Sequence, residues 1–148
     1  MAWDSCLVDS NILLRAALRD NPEHVLVRSA LTKLISAETV LYFTHQNIAE
    51  FWNAATRPLE RNGFGLSVED AEREVEIIER GMRLLPDSAA TYYEWRRIVS
   101  RYEVRGLQVH DARLVDAMIV HGVTHILTLN GKHFSRFDGA TAVHPESI

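Results

Sequence analysis

Apolar and polar residues fall in blocks along the chain, and the blocks read as short strands separated by helices. Cys6, Leu7 and Val8 form a brief apolar run, after which Ser10 and Asn11 supply helix-start chemistry ahead of Ile12, Leu13, Ala16 and Ala17. Pro22 opens a second helical stretch, with Val25, Leu26, Ser29, Leu31, Leu34 and Ile35 apolar or small on one broad face. The β-branched and aromatic run TVLYF, residues 39 to 43, predicts a buried strand. Ile48, Phe51, Trp52 and Ala55 recur at helical spacing until Pro58 ends the pattern. NGFG at 62 to 65 is a loop, and Ser67 with Asp70 caps a charged helix expected to run from 67 through Leu85. Residues 87 to 103 predict another helix, Gly106 interrupts it, and a last helix closes at Gly122. HILTLN, 125 to 130, reads as a buried strand, and TAVH near the end adds a short one.

Strands alternating with helices imply right-handed crossovers and a mainly parallel sheet. The expected fold is α/β, a three-layer α/β/α sandwich, and the 148 residues form a single domain spanning 1–148. In such sheets ligands gather at the carboxyl ends of the strands. That rule directs attention to the polar residues at those ends.

Asp9 directly follows the first strand, where it is either a helix cap or a ligand. Asn130, placed just after the late strand, would lie at the same edge, although followed by Gly131 it equally suits a turn. Asp111 lines up on a helical wheel with Leu114, Val115, Met118 and Gly122, so it is either an N-terminal cap or a carboxylate aimed at a shared cation. Glu50 lies opposite the Ile48, Phe51 and Trp52 stripe, on a polar strip with Asn47, Asn53 and Arg57; there it could close a capping box begun by Asn47, stand exposed, or join the same edge. Asp116 points away from the apolar stripe and reads as a solvated surface charge.

Three carboxylates and an amide would make an all-oxygen site, without the histidine and cysteine spacing of zinc. Such donors suit Mg²⁺ or Mn²⁺ and the hydrolysis of phosphodiesters. The seven histidines offer no nucleophile arrangement, and His110 beside Asp111 is the one with a candidate role. No glycine-rich phosphate loop is present in the sequence. Arg97, Arg101 and Arg105, with Trp95 and Tyr102 nearby, form either a solvated charged face or a contact for an RNA backbone.

A formal net charge of -4 argues against nucleic-acid binding through a broad positive field, without excluding a nuclease. No window is apolar for long enough to span a bilayer, MAWDSC does not read as a secretory signal, and the one cysteine excludes an internal disulfide. These features predict a cytoplasmic protein. Cys6 in its apolar surroundings is expected to be a small buried hydrophobe.

Four blocks, VDSNILL, QNIAEFWNAATRP, HDARLVDAMIVHGVTHILTLN and KHF, resemble the PIN-domain ribonucleases in order and spacing, and in particular the VapC-like toxins of bacterial toxin-antitoxin pairs. The resemblance covers nearly the whole chain. It places the family's acids on Asp9, Glu50 and Asp111, its fourth site on Asn130, and its hydroxyl residue on Ser10. It implies a PIN-like fold and a metal-dependent, single-strand-directed endoribonuclease, often a homodimer and restrained by a small antitoxin, with Mg²⁺ as the expected metal and tRNA or other structured RNA as the expected substrate. Where many members carry a fourth carboxylate this chain has Asn130, which lowers the negative charge of the site. The contrasting expectation is a non-catalytic RNA-binding or protein-interaction module with the same fold.

Overall fold

The structure, a computed structural model, describes residues 3–148. Its elements in chain order are β1 (Ser5–Val8), α1 (Ser10–Ala17), α2 (His24–Ser36), β2 (Val40–Thr44), α3 (His45–Thr56), α4 (Val68–Gly81), β3 (Arg83–Leu85), α5 (Ala89–Arg101), α6 (Gln108–His121), β4 (His125–Leu127) and β5 (Thr141–Val143). The five strands pair in the order β3-β2-β1-β4-β5, and every pairing is parallel. Parallel sheets are covered on both faces, and here successive residues of β1 divide accordingly. Cys6 and Val8 join a core built with α1, α2, α3 and α4, while Leu7 joins a second core with Ile98 of α5 and Leu114, Val115 and Met118 of α6. This is the expected three-layer α/β/α sandwich. Among the described residues no helix is long and apolar enough to cross a membrane.

Local chemistry explains most of the boundaries. Ser67 accepts a hydrogen bond from the Asp70 amide at 3.0 Å and starts α4, and Gly122 closes α6 at φ 71, a conformation that glycine adopts without steric cost. Cys6 is fully buried, and burial pushes its thiol up to about 12, so it is an inert packing residue.

Four expectations are corrected. The charged helix stops at Gly81, and residues 83 to 85 form β3, paired with Tyr42, Phe43 and Thr44 of β2. The late strand ends at Leu127, so Thr128 and Leu129 separate it from Asn130. In α2 the buried residues are Val27, Ala30, Leu31 and Leu34, whereas Val25 and Ile35 face solvent. Asp116, read as a surface charge, is only 3% exposed, and loss of solvent pushes its carboxyl up to about 8. Helix α6 is buried on more than one side, with Leu114 through Met118 all enclosed, so the wheel's polar face is not its solvent face.

Candidate functional site

The carboxyl ends of β1, β2 and β4 lie side by side because β1 pairs with both of its neighbours in parallel. Asp9 follows β1 directly and is 7% exposed. It caps α1, since its Oδ1 accepts from the Ser10 amide at 2.7 Å, and Ser10 and Asn11 are therefore helical residues and not the cap. The cap does not consume the carboxylate. Its Oδ2 accepts from Thr128 Oγ1 at 2.8 Å, and Thr128, itself 1% exposed, was not singled out from the sequence.

Helix α3 brings Glu50 to this edge. Its cap is Thr44, which exchanges hydrogen bonds with Asn47 in a closed capping box, so Glu50 is not engaged in capping. Asn47 lies fully buried beneath the helix and not on its polar strip. Glu50 instead accepts from Ser10 Oγ at 2.7 Å, and the same hydroxyl stands 3.4 Å from Asp9 Oδ1, so Ser10 bridges the two acids.

Asp111 sits in the first turn of α6, which no side chain caps. Gln46 of α3 donates to the His110 carbonyl at 2.8 Å and ties the start of α6 to the helix that carries Glu50. His133 Nδ1 stands 3.6 Å from Asp111 Oδ2. The partner of Asp111 is thus His133 and not His110, which reaches it only as a nearby charge.

Electrostatics show that the three acids share one neighbourhood. Burial raises the Asp9 pKa, hydrogen bonds from Thr128 and Ser10 oppose the rise, and the charges of Glu50 and Asp111 add to it. Asp111 is raised by burial first, then drawn down by His133 and pushed up by Glu50. Asn130 is linked differently. Its backbone amide donates to Thr128 Oγ1 at 3.0 Å, while its exposed side chain makes no hydrogen bond to the described residues.

Among the described residues no three Asp, Glu, His or Cys side chains close into a group able to hold a metal ion by themselves. The donors are hard oxygens whose negative charges oppose one another, which fits a cation such as Mg²⁺ that keeps several waters and takes only one or two carboxylates directly. An open cleft of about 480 Å³ borders Glu50 and is lined also by His45, Gln46, His110 and Arg113. Of the arginine stripe, Arg97 pairs with Glu94 and Arg101 lies 3.6 Å from Asp138, while Trp95 donates its indole N–H to the Val109 carbonyl. Arg97 and Arg101 are thus engaged in surface ion pairs, Arg105 is exposed, and Trp95 is half-buried.

The sequence profile of the PIN domain matches residues 6–140. No curated protein matches the chain. Among solved structures the fold is similar to that of VapBC2 from Rickettsia felis bound to a DNA fragment from their promoter, with 14% identity, a TM-score of 0.69, and coverage of 95% of this chain and 98% of that one. It is similar also to Mycobacterium tuberculosis VapC20, a Sarcin-Ricin loop cleaving toxin, at 16% identity and TM-score 0.66 over 88% and 93% of the two chains. VapBC-1 from nontypeable Haemophilus influenzae gives 14% identity and TM-score 0.68 over 96% and 98%. At such identities these likenesses show a shared fold.

Proposed function

The chain belongs to the PIN-domain family, and from that premise we propose that it is a Mg²⁺-dependent endoribonuclease, the toxin of a toxin-antitoxin pair, with its site at Asp9, Glu50, Asp111 and Asn130. The observation that carries this reading is the Ser10 bridge between Asp9 and Glu50, set where the charge of Asp111 also reaches Asp9. Like charges drawn together raise one another's pKa, and a compensating cation would favour the ionised state of the group.

Asp9, Glu50 and Asp111 would hold the ion, some of them through water, and Asn130 would orient a water with its free amide. A divalent cation held there supplies Lewis-acid polarisation of the phosphate and lowers the pKa of water. The chain's own residues do the rest. Thr128 and the Ser10 amide fix the rotamer of Asp9 and favour its ionised form. Ser10 Oγ fixes Glu50, and His133, when protonated, stabilises the ionised form of Asp111. The open cleft gives an RNA backbone access to Glu50.

The partners follow from the same reading. Solved relatives are VapBC assemblies, and a small antitoxin is the corresponding partner here, together with tRNA or another structured RNA as substrate, a homodimeric state and a cytoplasmic location. A groove of about 160 Å³ between α2 and α4, lined by Leu31, Ile35, Ile77 and Ile78, is apolar surface that a protein partner would cover.

The competing reading is a non-catalytic RNA-binding or protein-interaction module, favoured by the exposed amide of Asn130 in place of a fourth carboxylate. Incubating structured RNA and Mg²⁺ with the purified wild type and with Asp9→Asn decides between them. Cleavage by the wild type alone is expected. Equal cleavage by both would discard the site, and cleavage by neither would favour the module.

A further inference from the structure

A second pocket, of about 270 Å³, opens between the start of α5 and the face of α6, lined by Asp87, Ser88, Thr91, Tyr92, Trp95, Arg113 and Asp116. At its floor Asp116 is 3% exposed and makes no hydrogen bond or ion pair with any described residue. Buried polar groups in folded proteins are almost always partnered, so an unpaired buried carboxylate facing a cavity marks a missing donor. No side chain of the lining hydrogen-bonds to it in this structure. Arg113 lies 3.3 Å from Asp87, Trp95 spends its N–H on Val109, and the hydroxyl of Thr91 bonds to Ser88.

The occupant therefore brings its own N–H groups, and two adjacent ones would match the two oxygens of a carboxylate. Its body is flat and partly apolar, since Tyr92 and Trp95 form the wall. Among the RNA bases only guanine presents two neighbouring N–H donors, N1–H and N2–H, on its Watson–Crick edge. The volume lies near the lower end of small-ligand pockets, on the order of 300 Å³, which suits a single base. Arg113 also lines the cleft that contains Glu50, so the two cavities adjoin.

We propose that this pocket binds an unstacked guanine of the bound RNA, with the Asp116 carboxylate accepting from N1–H and N2–H and with Tyr92 and Trp95 against the base. The proposal rests on the ribonuclease reading and adds a base preference to it. Sequence-specific recognition of RNA relies on splayed bases stacked on aromatic side chains and read at their edges, which is what this pocket offers. Binding takes the ionised carboxylate, so Asp116 releases its proton to solvent as guanine enters. Arg113 favours that ionisation, while Asp87 and Glu94 oppose it, and Tyr92 is the remaining titratable side chain of the lining.

The test is calorimetric titration of the full-length wild type with GMP, AMP, CMP and UMP, whose common phosphate leaves the base as the only variable. GMP is expected to bind roughly 10- to 100-fold more tightly than the others. Asp116→Asn, which replaces one acceptor by a donor, should abolish the preference. Tyr92→Ala, at a half-exposed position where folding is preserved, should weaken GMP binding as well. Equal affinity for the four nucleotides, a preference for AMP or CMP, which a protonated carboxyl would favour, or a GMP preference that survives Asp116→Asn would each overturn the proposal. RNA cleavage in Mg²⁺ by the same wild-type preparation is scored separately. Cleavage without guanine preference sinks the pocket alone, and selective GMP binding without cleavage sinks the nuclease reading while leaving the guanine site.

Discussion

Thr128 Oγ1, 2.8 Å from Asp9, is the largest influence opposing the effect of burial on that acid. Thr128→Val keeps the shape and removes the donor, so the Asp9 pKa should rise further. Because the proposed activity needs Asp9 ionised, the acid limb of the pH-rate profile should move to higher pH; an unmoved limb would show that Asp9 does not govern it. Asp116 gives the second residue-level prediction. Its carboxyl lies near 8 in the folded protein against 3.8 as its ordinary value, so the folded state retains a proton that the unfolded state has lost between those limits. The contribution of Asp116 to stability is complete below about pH 4 and falls away as pH rises to about 8, by an amount on the order of a few kcal/mol. Urea unfolding at pH 5 and pH 8 should show a steeper decline for the wild type than for Asp116→Asn. Neither residue was legible as such in the sequence. Thr128 looked like the interior of a strand that in fact stops one residue earlier, and Asp116 belongs to a helix enclosed on several sides, where helical periodicity no longer separates inside from outside.

At the scale of elements, caps and turns hold the site's helices in place. Thr44 accepts from the Asn47 amide, and Asn47 Oδ1 accepts from the Thr44 amide. Thr44→Ala should cost about 1 kcal/mol, read as a lower denaturation midpoint, and it should loosen the Ser10 bridge by letting the start of α3 fray. After α3, the chain turns back at Gly63, whose amide bonds to the Pro58 carbonyl at 3.0 Å. A Cβ at this glycine would collide with the Arg57 carbonyl and Cβ. Gly63→Ala should therefore destabilise by more than the roughly 1 kcal/mol typical of a substitution, as thermal denaturation would report. The Ser67 cap of α4 was readable from the chain, whereas the cap of α3 fell on Thr44 and not on Asn47. β3 was not readable, because Leu84 and Leu85 continue the apolar spacing of α4 and only pairing with β2 makes this segment a strand.

At the scale of the whole molecule, the central sheet separates two cores that are each built around large enclosed side chains. Phe51 is fully buried in one and Ile98 in the other. Phe51→Ala and Ile98→Ala should cost about 3–5 and 2–5 kcal/mol, and since both cores share β1 each variant should still unfold in a single transition at every spectroscopic probe. The fold class, the parallel sheet and the approach of Asp9, Glu50 and Asp111 were legible because strand-helix alternation dictates which strand ends meet. The bridging role of Ser10 and the pairing of His133 with Asp111 were not, since they depend on side-chain directions across distant segments. The sheet order carries one more implication, for the time at which the protein becomes active. β1 lies between β2 and β4, and the bond from Thr128 to Asp9 joins residues separated by 119 positions. A ribosome that has delivered the first four helices has not yet supplied Asp111 or Thr128, and at about 5–20 residues per second the nascent chain remains without them for seconds. The proposed nuclease would therefore stay inert through that stage of its synthesis, beside the machinery whose RNA it could attack, and would acquire its chemistry only when α6 and β4 join β1.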